Sequence, residues 1–316
     1  MSRGSDTNSG ADADHAFQTI SYAVSVVPDS YKIIVGPGMY SEAVSTDRAV
    51  GKPPKALSLI ADPTGQQTKD ARGDVVIDAT NKAIGAGIRV SNSDHTLIDG
   101  FRITGGKDAG IVVKSGSSNL TVQNCIVHDN PGDGIRIQDS PNVLVFNNLV
   151  YANGGMGIGL VGPVSGSPGA RVYSNTVYGN RDRGITVGTS STTSTGATIH
   201  NNIVQNNGLK STPTLENIKV FTNSLSGIDE DYNLVFPAKY LPGNLAGTHD
   251  LSADAVFVAP GQDDFHLSKD NPESPAIDGG GPLNIADQWI TILHQRTTTG
   301  TNLDTGTLDL GFHFLR

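Results

Sequence analysis

Five charged residues of this 316-residue chain fall at spacings that could do chemistry together: Lys107, Asp108, Lys114, Asp133 and Arg136. Such a mixture of cations and carboxylates suits removal of a proton next to a carboxylate, the opening step of β-elimination from a uronic acid. The substrate carboxylate must first be neutralised, by cationic side chains or by a metal such as Ca2+ held on acidic oxygens. A lysine or arginine among cations then serves as the base, because like charges favour the neutral form. On this reading Lys114 is the base, Arg136 binds the carboxylate, and Asp108 and Asp133 are candidate calcium ligands. Arg89, Lys107, Arg181 and Arg183 are expected to bind the rest of an acidic polymer. The competing reading is that these charges only solvate an exposed face.

Residues this far apart in sequence can share a face only if the chain repeats, and it does. Asn124-Cys-Ile-Val-His-Asp-Asn130, Asn147-Asn-Leu-Val-Tyr-Ala-Asn153, Ser174-Asn-Thr-Val-Tyr-Gly-Asn180 and Asn201-Asn-Ile-Val-Gln-Asn-Asn207 align without gaps. Their final Asn recurs at intervals of 23, 27 and 27 residues, and Gly106 holds the same place 24 residues before Asn130. Four residues past each of the first four markers comes Gly110, Gly134, Gly157 or Gly184, each followed by an alternating apolar pair. A period of this length with strand-like alternation predicts a solenoid.

Each repeat reads as three short strands, here Ile135–Ile137, Asn142–Val145 and Ile126–His128. Alternation turns Ile135, Ile137, Val143, Val145 and Val127 inward, with Ile158, Leu160 and Val150 equivalent one coil on. Asn148, Asn175 and Asn202 fall in register in the sharp turn between second and third strands, where a buried amide finds partners above and below. Cys125 takes that place one coil earlier and reads as a small buried residue. The outward position of the first strand is Arg89, Val112, Arg136, Gly159, Thr186 and Lys219 in successive coils. The turn ahead of it supplies Lys107, Asp108, Asp133, Arg181, Asp182 and Arg183. The proposed chemistry therefore gathers on one face of adjacent coils.

Asp14 is a candidate cap for a helix carrying Phe17, Ile20, Ala23, Val24 and Val27, which would close the open end of the solenoid. One domain results: residues 1–30 as cap, 31–235 as coils, and 236–316 as an irregular segment packed on the solenoid. Two Gly/Ser/Thr-rich insertions, Val161–Gly169 and Gly188–Gly196, lengthen the same turn and are expected to wall a binding face. Phe146 and Tyr173 stack outward on the second strand, either as packing under the tail or as a platform for sugars. His128 and His200 read as separate surface residues, and Asp229, Glu230 and Asp231 as a solvated acidic turn, with a Ca2+ site as the alternative.

The net charge of -9 argues against a nucleic-acid partner, which needs a basic face. A single cysteine excludes an internal disulfide, and no apolar run is long enough to span a membrane. Residues 1–10 are polar and lack the apolar middle of an export signal. A secreted or cell-surface protein whose signal lies outside this stretch is expected, with a cytoplasmic one as the alternative.

The coils resemble the right-handed parallel β-helix family with pectate-lyase-like repeats. Phe17-Gln-Thr-Ile20 with Val35-Gly-Pro-Gly-Met-Tyr-Ser-Glu42 is similar to the opening segment of such proteins. Asp264-Phe-His-Leu267, Ser274-Pro-Ala-Ile-Asp-Gly-Gly280 and Leu308-Asp-Leu-Gly311 resemble their tail. The resemblance implies an all-β solenoid, three strands per coil, with a substrate groove along the outer face of the first strand. Val113-Lys-Ser-Gly-Ser-Ser-Asn119 is similar to the Lys-Ser motif of the alginate lyase and chondroitinase B group, with Gln138 where that group has Arg. The resemblance implies a carbohydrate-active protein, foremost a lyase of uronic-acid polymers. A non-catalytic glycan-binding or structural protein and a glycoside hydrolase are the alternatives.

Overall fold

The computed structural model describes the chain except residues 1–3, 48–55, 115–116, 210–215, 239, 243–244, 284–291, 294, 300–302, 305 and 315–316. Three eight-stranded parallel sheets wind around one interior. Sheet 1 includes Ala109–Val113, Asp133–Gln138, Ile158–Val161 and Ile185–Val187. Sheet 2 includes Thr121–Gln123, Leu144–Phe146 and Arg171–Tyr173. Sheet 3 includes Ile126–His128, Leu149–Tyr151 and Thr176–Tyr178. The second strand of the repeat thus starts two residues later than alternation alone suggests, because Asn142 is in the left-handed region and belongs to the turn.

Identical side chains stack rung upon rung. Ile88, Ile111, Ile135, Ile158, Ile185 and Ile218 form one unbroken column in sheet 1, each fully buried. Ile103, Val127, Val150, Val177, Val204 and Val235 form the matching column in sheet 3. Each such aliphatic contributes on the order of 1.5–3 kcal/mol on burial. The inward residues predicted from alternation all lie in this core.

Polar ladders run up all three corners. Between sheets 2 and 3 the amide oxygens of Asn148, Asn175, Asn202 and Asn233 each accept the backbone N–H of the residue one rung before, at 2.9–3.0 Å. Cys125 ends that ladder as a donor only and is fully buried. Between sheets 3 and 1 a second ladder runs through Asn130, Asn153, Asn180, Asn207 and Asn217. Between sheets 1 and 2 serine hydroxyls do the same work, from Ser140 through Ser167 and Ser194 to Ser224.

The recurring glycine now has a cause. At the start of each sheet 1 strand two consecutive residues face inward, and the first lies under the asparagine ladder. A Cβ on Gly134 would stand 2.4 Å from Val150 Cγ1 and 3.0 Å from Asn153 Nδ2. Gly110, Gly157 and Gly184 meet the same obstacles in their own coils, so only glycine fits. The residue before each glycine is thereby turned outward.

Helix α1, Ile20–Val26, covers the first coil with Ile20, Ala23 and Val24. Its cap differs from the expected Asp14. Thr19 caps it, and Glu42 accepts the N–H groups of Ile20 and Ser21. Asp14 instead pairs with Lys69 at 2.6 Å, and Asp12 caps a separate short turn, Ala13–His15. The predicted acidic turn is also corrected. Asp229–Asp231 is a rung of sheet 2, and Glu230 stands in the core column directly after Ile199.

Candidate functional site

The tail decides which face remains open. Phe257, Phe265, Leu267, Leu310 and Phe312 cover the outer side of sheet 3 at Leu149, Tyr151, Ile203 and Leu234. Leu293, with Leu283, Ile292 and Leu308, covers sheet 2 at Leu144, Phe146 and Tyr173. The tail is clamped to the corner between them. Asn147 exchanges two hydrogen bonds with the backbone of His313, and Asn201 exchanges two with Gly281. Phe146 and Tyr173 are therefore packing under the tail, 0% and 5% exposed, not a sugar platform. Sheet 1 receives no such cover from the described tail residues.

Two outward columns run along sheet 1. The backbone ladder stacks Asp133, Met156, Arg183 and Glu216, since Gly134 donates to Met156, Gly157 to Arg183 and Gly184 to Glu216. Three residues on along each strand lie Arg136, Gly159, Thr186 and Lys219, preceded by Val112 and Arg89 in earlier rungs. Ahead of Asp133 the first column is apolar, with Ala86 and Ala109 buried beside Val112 and Ile84, while the second carries Arg89 one rung before Val112.

Lys107, Asp108, Lys114, Asp133 and Arg136 do fall on adjacent rungs of this one face, as expected. Lys107 and Asp108 are exposed in the turn before Ala109–Val113, and Asp108 folds its carboxylate over Gly85. Lys114 follows the same strand and is half-buried, and its backbone is fixed by N–H donation to Val90 and by Ser140 Oγ. Its ammonium has no ion pair among the described residues.

The arginines are less free than their spacing suggested. Arg136 Nη1 lies 3.2 Å from Asp133 Oδ2. Arg89 pairs with Asp47 at 2.6 Å. Arg183 is held by Glu216 through Nε, with Asp182 3.6 Å from its Nη1. Arg181 is exposed and carries no ion pair among the described residues. So of the predicted polymer-binding cations only Lys107 and Arg181 are unneutralised. Asp47 and Glu216 lie more than thirty residues from their partners, outside any local motif.

Asp133 is the most constrained acid of the site. Its Oδ1 accepts the Met156 N–H at 2.8 Å while Oδ2 faces Arg136. Burial pushes its carboxyl above the ordinary range, Asp182 adds to that, and the Met156 N–H and Arg136 oppose it. Asp47 goes the other way: burial raises it, but Ser91, Ser45 and Arg89 outweigh this and hold it low. Ca2+ takes six to eight oxygens. With both Asp133 oxygens engaged, Asp108 and Asp133 alone do not make a calcium cage. Among the described residues, the group of three carboxylates that the fold does bring within 4.8 Å is Asp278, Asp304 and Asp309, in the tail.

Three polar atoms on this face are buried without a hydrogen-bond partner: Arg89 Nε, Arg136 Nε and Thr186 Oγ1. Thr186 is only 2% exposed. His128 and His200 stand apart, on sheets 3 and 2, as expected, His128 at 2.7 Å from Asp129 and His200 at 3.0 Å from Asp229.

Residues 75–229 match the family described as right handed beta helix region. Among solved structures the chain is similar to pectate lyase Pel9A, with a TM-score of 0.55 at 18% identity over 99% of this chain and 94% of that one. It is also similar to a rhamnogalacturonan lyase, with a TM-score of 0.51 at 17% identity over 74% of this chain and 67% of that one. No curated protein matches the chain in sequence. Likeness at this identity shows the fold, which is the right-handed parallel β-helix that the repeats implied.

Proposed function

We propose that this right-handed parallel β-helix protein cleaves an acidic, uronic-acid-containing polysaccharide by β-elimination on the outer face of sheet 1. One observation carries the reading. The face that the tail leaves uncovered is also the face that holds Lys114, unpaired, one rung from Arg136. The two solved structures compared above are a pectate lyase and a rhamnogalacturonan lyase, which supports the class without fixing the substrate.

The step needs no group beyond the chain itself. Lys114, in its neutral form, takes the proton from the carbon next to the uronate carboxylate. The electron pair left behind forms the carbon–carbon double bond as the bond to the leaving glycosidic oxygen breaks. That oxygen leaves with a proton from water or Lys114. Arg136, steadied by Asp133, stabilises the charge that builds on the carboxylate. Lys107 and Arg181 hold the polymer at either side. A polymeric substrate places the work outside the cell or at its surface. No described helix is long and apolar enough to cross a membrane.

A second reading rests on Asp133. A carboxyl pushed up by burial is shifted in the direction a general acid in glycoside hydrolysis needs, with Asp182 as the nearby carboxylate. Pectate, alginate, chondroitin and heparin, each with and without Ca2+, separate the possibilities. Ultraviolet absorbance from an unsaturated product supports elimination, and a calcium requirement would restore Asp108 and Asp133 as ligands. New reducing ends without absorbance favour hydrolysis. Retention of a glycan without turnover favours a binding protein.

A further inference from the structure

The outward column of sheet 1 has a gap. Arg136 and Thr186 stand two rungs apart, roughly 9–10 Å along the solenoid, and Gly159 between them offers no side chain. The space above Gly159 is filled from the neighbouring column. Met156 folds over it, so that its terminal methyl would lie 2.9 Å and its sulfur 3.4 Å from a Cβ placed there. A thioether on three rotatable bonds is the side chain that leaves such a place most easily.

The gap is bordered by unmet hydrogen-bond capacity. Arg136 Nε on one side and Thr186 Oγ1 on the other are buried without partners, and Thr186 is 98% buried. Unmet buried polar groups are destabilising, and they persist where a ligand completes them. Asp133 at 3.2 Å and, in the proposed elimination, the uronate carboxylate take up the Arg136 charge, which leaves its Nε for a neutral oxygen, and Thr186 is neutral. What remains on offer is a pair of donors to neutral oxygens above a bare backbone and a soft apolar methyl. Cations without an ion pair among the described residues lie one rung beyond each end of the gap, Lys114 before Arg136 and Lys219 after Thr186.

We propose that Gly159, Met156, Thr186 and Arg136 form a subsite for one neutral pyranose unit adjoining the uronate, with Met156 swinging aside as the sugar enters. A single ring spans the two donors, with an oxygen substituent accepting at each end and its C–H face on Gly159 and Met156. This deepens the lyase reading and rests on it for the identity of the polymer. The preferred substrate is then a heteropolymer in which uronate and neutral sugar alternate, rather than a uniform uronan.

Two substitutions probe the subsite without breaking the fold. Gly159→Ala meets only the flexible end of Met156. Thr186→Val is close to isosteric and removes a buried hydroxyl that has no partner, so the melting temperature of the free protein is expected to rise. Affinity of wild type and both variants is measured by calorimetry for an alternating uronate–neutral-sugar oligomer and for a uniform uronate oligomer of equal length. Elimination kinetics are followed on both. The expected result is tighter binding of the alternating oligomer by wild type and at least a tenfold loss of that preference in each variant. Equal affinity of wild type and variants for the alternating oligomer overturns the subsite, as does a lower melting temperature in Thr186→Val. Preserved preference with no unsaturated product leaves the subsite standing and removes the lyase reading. Product formed by both variants at unchanged KM does the reverse.

Discussion

Gly157, just ahead of the strand Ile158–Val161, and Gly159, within it, lie two residues apart and face opposite sides of the solenoid wall. A Cβ on Gly157 would stand 2.4 Å from Val177 Cγ1 and 2.8 Å from the Gly184 carbonyl oxygen, whereas one on Gly159 meets the tip of Met156. The same substitution should therefore give two results. Gly157→Ala forces packed core atoms and backbone apart and is expected to cost about 1–3 kcal/mol. Gly159→Ala is expected to stay within about 0.5 kcal/mol of wild type. Urea unfolding of the two variants side by side checks this, and equal midpoints would contradict the assigned facing of the strand.

The asparagine ladder is a second test of the wall. Asn175 accepts from the Asn148 N–H and amide and donates to Val145, Tyr173 and Asn202. Asn175→Ala leaves buried donors and acceptors on three rungs unpaired, for a loss of about 2–4 kcal/mol. Ser167→Ala removes fewer bonds and is expected to cost about 1 kcal/mol. Thermal melting of the pair should reproduce that order.

Glu230 makes the far end of the solenoid sensitive to pH. Its carboxyl stands in the aliphatic column after Ile199, accepts from Asn233 and Gly247, and shares the Gly247 N–H with Asp250. Burial pushes it up to about 9, with Asp250 adding to the rise. A carboxyl raised in the folded state keeps a proton that the unfolded chain releases. Its stabilising share is thus complete below the unfolded value near 4.5 and declines as pH climbs from there to about 9. Glu230→Gln mimics the protonated form and should flatten that decline, so that its melting temperature overtakes wild type at alkaline pH. Parallel melting curves of the two proteins across this range would refute the assignment.

Cys125 offers a probe of global opening. It is fully buried at the head of the ladder, and burial pushes its thiol up to about 12. Alkylation at neutral pH is expected to follow unfolding alone. Labelling in native buffer as fast as in urea would contradict its placement.

The legible part of this protein was whatever repeats with little variation in spacing. The isoleucine and valine columns and the corner asparagines follow from a beat of 23 to 27 residues, and the resemblance to the β-helix family pointed to the outer face of sheet 1. The serine ladder escaped because Ser140, Ser167, Ser194 and Ser224 sit in turns of changing length, among many other serines and threonines. The pairing of Arg89 with Asp47 and of Arg183 with Glu216 escaped for a related reason. Each partner lies a full coil away, in a segment whose length the period does not set. Glu230 read as surface acid because a charged residue in an aliphatic column is visible only once the rung is placed.

Arg136 and Asp133 bear on both stability and chemistry. Arg136→Ala would leave a mostly buried carboxylate facing no cation, at a cost of about 1–3 kcal/mol. Asp133→Asn in the same background should recover most of it, because the Oδ1 acceptor for Met156 survives and the unpaired charge is gone. A double-mutant cycle by denaturant unfolding measures the coupling, and strict additivity would argue against the pair.

The central claim is that sheet 1 carries an elimination site with Lys114 as its base, and product mass tests it most directly. Digests of an acidic polysaccharide by wild type and Lys114→Ala are compared by mass spectrometry. The account predicts oligomers one water lighter than hydrolysis products from wild type, and none above background from the variant, with the same melting temperature in both. Full-mass oligomers from wild type, or unsaturated ones persisting in Lys114→Ala, would contradict it.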